Sequence, residues 1–543
     1  MAGAAALAAL RAAARECQLA APSFSVEQAA QGLAVTDVLR AHFLGLTQTP
    51  TQAASRLLQL PAELMSVILS RLETRDLARL AATCRSVCRD ARSPPPPPRA
   101  IGPVETELRR RAEARGLDVG SSLPEGSTSW VACLLKRDRR DAQMRQVPLA
   151  AGPLHSIFVD TGGRLLTCGC DTVESMPLFL LGHDVDSMPL LGHAEGPAAD
   201  LNVLREIGPP TPVPSMQERR IVSVATSDEH CFALSADGEV FSWGRGSYGG
   251  LGHGDDADRI VPSRIESLRR IERIVAGARW TSAAVDEDGR LFTWGRAWVN
   301  PKVTSGLGYE LDAETEYQAT PKRVDALSQE RVVGVALGDG FTLAVTDAGA
   351  VFSFGYSLHG VLGHDSCENE VLPRRIEDLA ETGRRFVAVA AGICHALALT
   401  EEGELYGWGY EYANGHGGEG RTPQRVTALI GQRVKLVHGG DGCSCVVTEK
   451  GELFTWGSSS AAGTLGHEGP EGTPTRVAGL SRVEVVAVTI NWTHMLAADA
   501  DGVVWAFGLR PALGLGASDP EDSGAVLTPI PIPTLRVRVL NSP

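Results

Sequence analysis

No run of eighteen apolar residues occurs anywhere in the 543 residues, so the sequence offers no helix long enough to cross a membrane. None of the 11 cysteines forms a CxxC pair. The nearest neighbours, Cys84/Cys88, Cys168/Cys170 and Cys443/Cys445, do not read as zinc hooks. A GxSxG elbow for a serine nucleophile is missing, and so is a glycine-rich loop ending in Lys-Ser/Thr that could cradle phosphate. The N-terminus, MAGAAALAALRAAARECQLAAP, has no secretory pattern. It is rich in Ala and Arg, as a transit peptide would be, but Glu16 and the scarcity of Ser favour an Ala-rich helix. These absences lead us to expect reduced thiols, a cytoplasmic and/or nuclear location, no metal, no cofactor and no catalytic constellation.

Glycine, at 59 residues, is well above ordinary use and points to many tight turns between short strands. Charge is unevenly divided. Residues 1–150 hold 20 Lys and Arg against 14 Asp and Glu, which leaves the rest of a chain of net charge −14 at −20. So acidic a body suits phosphate backbones poorly, and no nucleic-acid partner is expected.

The stretch SWGRGSYGGLGHGD (242–255) concentrates reactive residue types, but it is not unique. LTCG (166–169), FSWG (241–244), FTWG (292–295), FSFG (352–355), YGWG (406–409), FTWG (454–457) and WAFG (505–508) are seven copies of its start. Six residues before each closing glycine stands another glycine, and eight residues before that come His155, His230, Thr281, Phe341, His395, Cys443 and His494. A copy such as HALALT–EEG–ELYGWG reads as a strand, a glycine turn and a return strand. One hairpin cannot bury both faces, and repeats of this length with four strands each close into a propeller. Leu-Gly-His recurs at Gly182-His183, Gly192-His193, Gly252-His253, Gly363-His364 and Gly466-His467. Copies spread around a ring cannot gather on one metal, so we read them as turn caps, and the first-strand histidines as packing positions.

The pattern V-x-V-A-x-G-x-x-H-x-x-A-L-x-x-x-G-x-[VL]-[FY]-x-W-G…G-x-L-G-H resembles the regulator of chromosome condensation (RCC) repeat over 144–540. That resemblance implies a mainly β fold, a seven-bladed RCC-type β-propeller. Blade one is expected to carry an irregular insertion at 171–215, with the echo MPLFLLGHD and MPLLGHAE. The C-terminal IPTLRVRVL (532–540) is expected to complete that same first blade.

Ahead of the repeats, LPAELMSVILSRLETRDLARLAATCRSVCRDAR (60–92) places Leu64, Ile68 and Leu72 on one helix face and Leu77 and Leu80 on a second, with Thr74 as N-cap. This segment closely resembles an F-box, a small all-α module that implies docking on the Skp adaptor of a cullin-type ubiquitin ligase. By that resemblance the adaptor-facing residues are Leu60, Pro61, Leu64, Ile68, Leu69, Leu77 and Leu80. The organisation expected is an Ala-rich helical or disordered segment (1–56), an F-box-like three-helix module (57–92), a Pro-rich linker with charged helices (93–143) and the propeller (144–540). Ser129-Trp130…Leu134-Leu135 resembles the helix that often follows an F-box.

The function expected is a non-catalytic substrate-recognition adaptor, with a protein client held by the propeller loops. The residues that vary after each W-G are the candidates for the client: Arg245, Tyr248, Arg296, Trp298, Tyr356, His359, Tyr410 and Tyr412, of types that dominate interfaces. An alternative is a guanine-nucleotide exchange factor or regulator of a small GTPase, with 296–319 as a wedge. A third, photoreception as in the plant ultraviolet-B receptor, has only Asn491-Trp492-Thr493-His494 and an out-of-register Gly277-Ala278-Arg279-Trp280-Thr281 in its favour.

Overall fold

In a computed structural model of the chain, residues 147–170, 191–193, 206–296, 299–300, 303–304, 306–311, 315–418, 420–458, 463–513, 515 and 524–539 are described. The seven adaptor-facing residues of the F-box-like segment, the helix after it, the proline run and Trp298 lie outside them.

The described residues form seven four-stranded antiparallel sheets in chain order. Blade 2 is built from Ile221–Thr226, His230–Ser235, Val240–Gly244 and Arg259–Arg264. Blade 3 runs through Ile271–Ala276, Thr281–Asp286, Leu291–Gly295 and Gln318–Arg323. Blades 4 to 6 begin at Val332–Leu337, Phe386–Ala391 and Val434–Gly439. The first strand of each blade touches the first strand of the next, all the way round to Val485–Ile490 of blade 7 against Leu149–Ala151 of blade 1. This is a closed mainly β propeller, with the first strands around its axis.

In blade 5, His395–Thr400 pairs with Leu405–Gly409 from His395↔Gly409 to Leu399↔Leu405, so the glycine turn sets the register of the whole hairpin. Gly403 has φ of +86°, which the tight reversal demands. The aromatic of each W-G points into the gap between blades. Trp243, Trp294, Trp408 and Trp456 are fully buried, and the core is a series of layers, each between two adjacent blades. Trp294, Trp408 and Trp456 each donate from Nε1 to a backbone carbonyl of the preceding blade, Gly250 (2.9 Å), Val361 (2.7 Å) and Ala413 (2.8 Å). Each therefore fills space and satisfies its own N–H.

The repeated histidines are more than packing positions. His230 Nε2 hydrogen-bonds Ser282 Oγ of the next blade (2.9 Å), His395 bonds Ser444 (2.7 Å), and His494 bonds Ser156 across the seam from blade 7 to blade 1 (2.8 Å). His155 reaches Thr226 Oγ1 (2.7 Å) and Cys231 Sγ (3.4 Å). Where the position is Phe341 or Cys443, the next blade offers Ala396 or Met495 in place of the serine. Polar meets polar and apolar meets apolar, as buried groups require. Burial lowers the pKa of all four histidines to about 3, so they stand neutral as latches between blades.

Two expectations are corrected here. The irregular insertion of blade 1 is shorter than 171–215, because Glu206–Pro212 is that blade's fourth strand. The C-terminal segment belongs mainly to blade 7, where Ala525–Arg536 pairs with Val503–Leu509. Its end reaches blade 1, through Thr161 N→Arg536 O (3.2 Å), a bridge from Val537 to Asp160 and the bond Arg538 N→Val159 O (3.0 Å). Val537 N also donates to Gly502 O, as Ile271 N does to Gly238 O where blade 3 opens. The two ends of the propeller thus share the first-strand position of blade 1. Thr493 Oγ1→Pro153 O (2.6 Å) and Ser156 Oγ→Ala512 O (2.6 Å) close the seam from the polar side.

Candidate functional site

Antiparallel order puts the first-to-second and third-to-fourth connections of every blade at one end of the propeller. The residue after each W-G is pinned there by its backbone: Arg245 N→Glu229 O, Tyr356 N→Gly340 O and Tyr410 N→Cys394 O are each 2.8 Å. The main chain fixes where the residue stands, and its side chain is left to vary. Leu-Gly-His follows in the same connection. Ser242 donates to Leu251 O (2.8 Å) and bonds His253 Nε2 (2.9 Å), Ser353 does the same with Leu362 and His364, and Thr167 with Leu191 and His193. Each histidine caps its own blade. Of the two echoed copies in blade 1, the second takes this place. In blade 3, Tyr309 replaces the histidine, its hydroxyl donating to Thr293 O at 2.8 Å. Part of the 296–319 segment is therefore an ordinary blade cap, not wedge.

The candidate client residues fall into two groups. Tyr248 lies against Trp280 (centroids 4.7 Å apart) and Tyr317 (6.1 Å), with the Arg296 guanidinium 4.2 Å above its ring. Arg245 faces Glu229 at 4.0 Å, and Glu229 accepts from Trp280 Nε1 at 2.6 Å. The second group, on blades 4 and 5, is His359, Tyr410 and Tyr412, with centroids 5.4 Å apart along the row. Tyr412 and the neighbouring Leu358 are exposed. Tyr356 joins neither group. Tyr248 and His359 occupy the same loop position in their blades, and each has φ of +55°. Holding a non-glycine residue there costs on the order of 1 kcal/mol, a strain that tends to mark functional loops.

Sequence reasoning missed Tyr317 and took Trp280 only as an out-of-register motif. It also missed the charged residues nearest the axis. Two positions before the repeated His/Thr/Phe/Cys stand Asp228, Arg279, Asp339 and Asp441, from blades 2, 3, 4 and 6. Arg279 Nε is 3.7 Å from Asp339. Burial, with the like charge of Asp339, pushes the Asp441 carboxyl up to about 7. Burial and then Asp441 and Glu229 raise Asp228, while burial raises Asp339 against the pull of Arg279. Trp280 and Trp492, the tryptophans of the two receptor-like segments, lie apart in blades 3 and 7, and Trp280 meets Tyr248 and Arg279.

Seven blades latched in register, with variable aromatic and charged loops at one end, define an RCC-type propeller protein. The family model for the RCC1-like domain matches residues 178–541, and that for the F-box-like domain matches 57–94. The chain belongs to the RCC1-like domain family and carries an F-box-like domain ahead of the repeats. It is similar to the ultraviolet-B receptor UVR8 of Arabidopsis thaliana, 35% identical over 253 residues that cover 45% of this chain and 52% of that protein. It is also 36% identical over 365 residues to the human E3 ubiquitin-protein ligase HERC2, covering 64% of this chain and 7% of HERC2. The matched region thus spans about half or less of these relatives. Among solved structures, Prp20p of Saccharomyces cerevisiae aligns with a TM-score of 0.54 and 21% identity over 73% of this chain and 89% of that one, a likeness of fold.

Proposed function

We propose that this chain is a substrate-recognition adaptor of a Skp–cullin–F-box ubiquitin ligase, with the F-box-like segment taking the Skp-type adaptor and the loop end of the propeller holding a protein client. The observation that carries this is the presence in one chain of an F-box-like domain and a propeller whose variable loops carry aromatic and arginine side chains. A propeller supplies a rigid ring on which client specificity rests with loops, while ligase attachment needs only a short helical module. The relation to a protein named as a ubiquitin ligase is in keeping with this reading. The protein works in the cytoplasm and/or nucleus, where such ligases act.

A second reading, regulation of a small GTPase, is favoured by the fold likeness to Prp20p, whose binding to Gsp1p and histones is a property of that protein. An exchange assay with a nuclear small GTPase tests it: accelerated nucleotide release supports it, and an unchanged rate removes it.

For the adaptor reading, purified full chain is expected to co-precipitate a Skp-type adaptor and cullin. The double substitution Pro61→Ala/Leu64→Asp is expected to abolish capture, because a carboxylate placed in an apolar helix contact costs several kcal/mol, roughly 3 or more. Circular dichroism of the variant should keep the propeller's β signal. A folded wild-type chain that captures no adaptor would overturn the proposal.

A further inference from the structure

The loop end carries an unequal charge balance that points to the kind of segment it binds. The candidate arginines Arg245 and Arg296, and Arg279 nearer the axis, each already face a carboxylate: Arg245 with Glu229 (4.0 Å), Arg279 with Asp339 (3.7 Å) and Arg296 with Glu316 (3.3 Å). Asp228 and Asp441 are left over. Neither side chain has a hydrogen bond or ion pair among the described residues, and the cation nearest to both is Arg279, which Asp339 already engages. The backbone ties Asp339 to Asp441 through Ile393, by Asp339 N→Ile393 O (3.3 Å) and Ile393 N→Asp441 O (3.0 Å), and Asp228 feels the negative charge of both. Carboxylates gathered this way with no donor aimed at Asp228 or Asp441 are a costly arrangement for a fold to keep.

An aromatic strip leads to these carboxylates from the rim. Tyr317 touches Tyr248 (6.1 Å), Tyr248 touches Trp280 (4.7 Å), and Arg279 beside Asp339 lies 5.9 Å from the Trp280 ring. All three residues of the strip are half-buried, and it is braced by Trp280 Nε1→Glu229. A guanidinium or ammonium on an aliphatic stem fits both features, because its stem and charge lie well on aromatic faces and its donors match carboxylates. An acidic segment would find every arginine of the strip engaged and two bare carboxylates in its way.

We propose that the propeller binds its client through an Arg- or Lys-bearing segment, laid along Tyr317, Tyr248 and Trp280 with its cationic side chain between Asp228, Asp339 and Asp441 at the axis. This rests on the client-binding reading of the loop end. The exposed Leu358 and Tyr412, 42% and 37% accessible on blades 4 and 5, offer apolar contacts to residues flanking the cation.

Fluorescence anisotropy of labelled octa-arginine with the full chain tests this, with octaglutamate as the opposite probe. Asp228→Asn/Asp441→Asn is expected to weaken octa-arginine binding by about tenfold or more, and Trp280→Ala by about fivefold. The same charge change at the far end, Asp237→Asn/Asp501→Asn on exposed hairpin tips, should shift it less than about twofold. The axial double variant should also melt no lower than wild type at pH 7.5, since it relieves an uncompensated repulsion, whereas a merely structural role would lower its Tm. Equal losses in the axial and hairpin variants, or preference for octaglutamate, would overturn the proposal. Adaptor capture by the same preparations separates the two readings. Retained capture without octa-arginine binding removes this inference alone, and octa-arginine binding without capture leaves it standing while the ligase role falls.

Discussion

Acid is expected to unfold the propeller steeply, beginning below pH 6.5. His155, His230, His395 and His494 are buried and neutral, each with its pKa lowered to about 3. Between those values and 6.5 the unfolded chain binds the protons that the folded chain refuses, so stability is fully present above pH 6.5 and falls with pH. Each histidine contributes a slope of about 1.4 kcal/mol per pH unit, and four together about 5.5. The axial carboxylates pull the other way, because their raised pKa values let the fold hold protons that the unfolded chain has lost, for Asp441 from about 7 downward. They number three, and His438, lowered to about 4, adds to the histidine side, so the net direction is loss of stability in acid. Urea denaturation at pH 7.5, 6.5 and 5.5 measures it. His494→Gln keeps a hydrogen-bonding side chain at Ser156 without a titrating group, and should flatten the slope by about 1.4 kcal/mol per unit. A wild-type stability unchanged between pH 7.5 and 5.5 would contradict the latch assignment.

Trp408→Ala is expected to cost about 3–5 kcal/mol through the cavity it leaves between blades 4 and 5. The indole is fully buried among Val361, Leu362, Ile376 and Ala398, and its Nε1 is the donor to Val361 O at 2.7 Å. Removal strands that carbonyl in an apolar layer as well. Trp408→Phe separates the two terms. It refills most of the volume without restoring the donor, and should recover more than half of the loss. Thermal melts of both variants decide it, and an Ala variant within about 1 kcal/mol of wild type would show that the layer collapses freely. Blade packing is local, so adaptor capture through the F-box-like segment should survive in any folded fraction.

The fold was legible because the repeat states it three times over in each copy: the two glycines and the position that starts the second strand keep fixed spacing from blade to blade. Gly295 shows why one of those glycines does not vary. Its φ is +92°, and a Cβ there would stand 1.8 Å from the Trp280 carbonyl oxygen. What a linear reading could not see is pairing across blades. His494 and Ser156 are neighbours only once the ring closes, and no local pattern says that residue 494 precedes residue 156 around a circle. The signal was present in another form, since every histidine of the set faces a hydroxyl or thiol from the next blade, Thr281 faces Thr342, and the apolar Phe341 and the thiol Cys443 face Ala396 and Met495. The closing strand was misassigned for a similar reason. Alternation marks Leu535 and Val537 as strand residues but does not tell which of two sheets, both open at the seam, they join.

The candidate site was half legible. Searching after each W-G found Arg245, Tyr248, Arg296, His359, Tyr410 and Tyr412, and the fold brings Arg296 onto Tyr248 and aligns His359 with Tyr410. Tyr317 was missed because it follows a connection of unusual length, and Trp280 because it sits one residue off the repeat's register. Asp339 and Asp441 each stand between two glycines, and Asp228 stands between Ser227 and Glu229, so in the sequence all three read as turn residues. Their meeting depends on three blades converging on an axis, which spacing along one strand does not reveal.

Sedimentation velocity of the full chain with a purified Skp-type adaptor and labelled octa-arginine tests the central claim most directly, that one molecule carries a ligase-docking segment and a separate client-binding propeller end. The account predicts that label, chain and adaptor move together as one faster species, with octa-arginine binding unaffected by the adaptor. A folded chain that sediments alone in the presence of adaptor would contradict it.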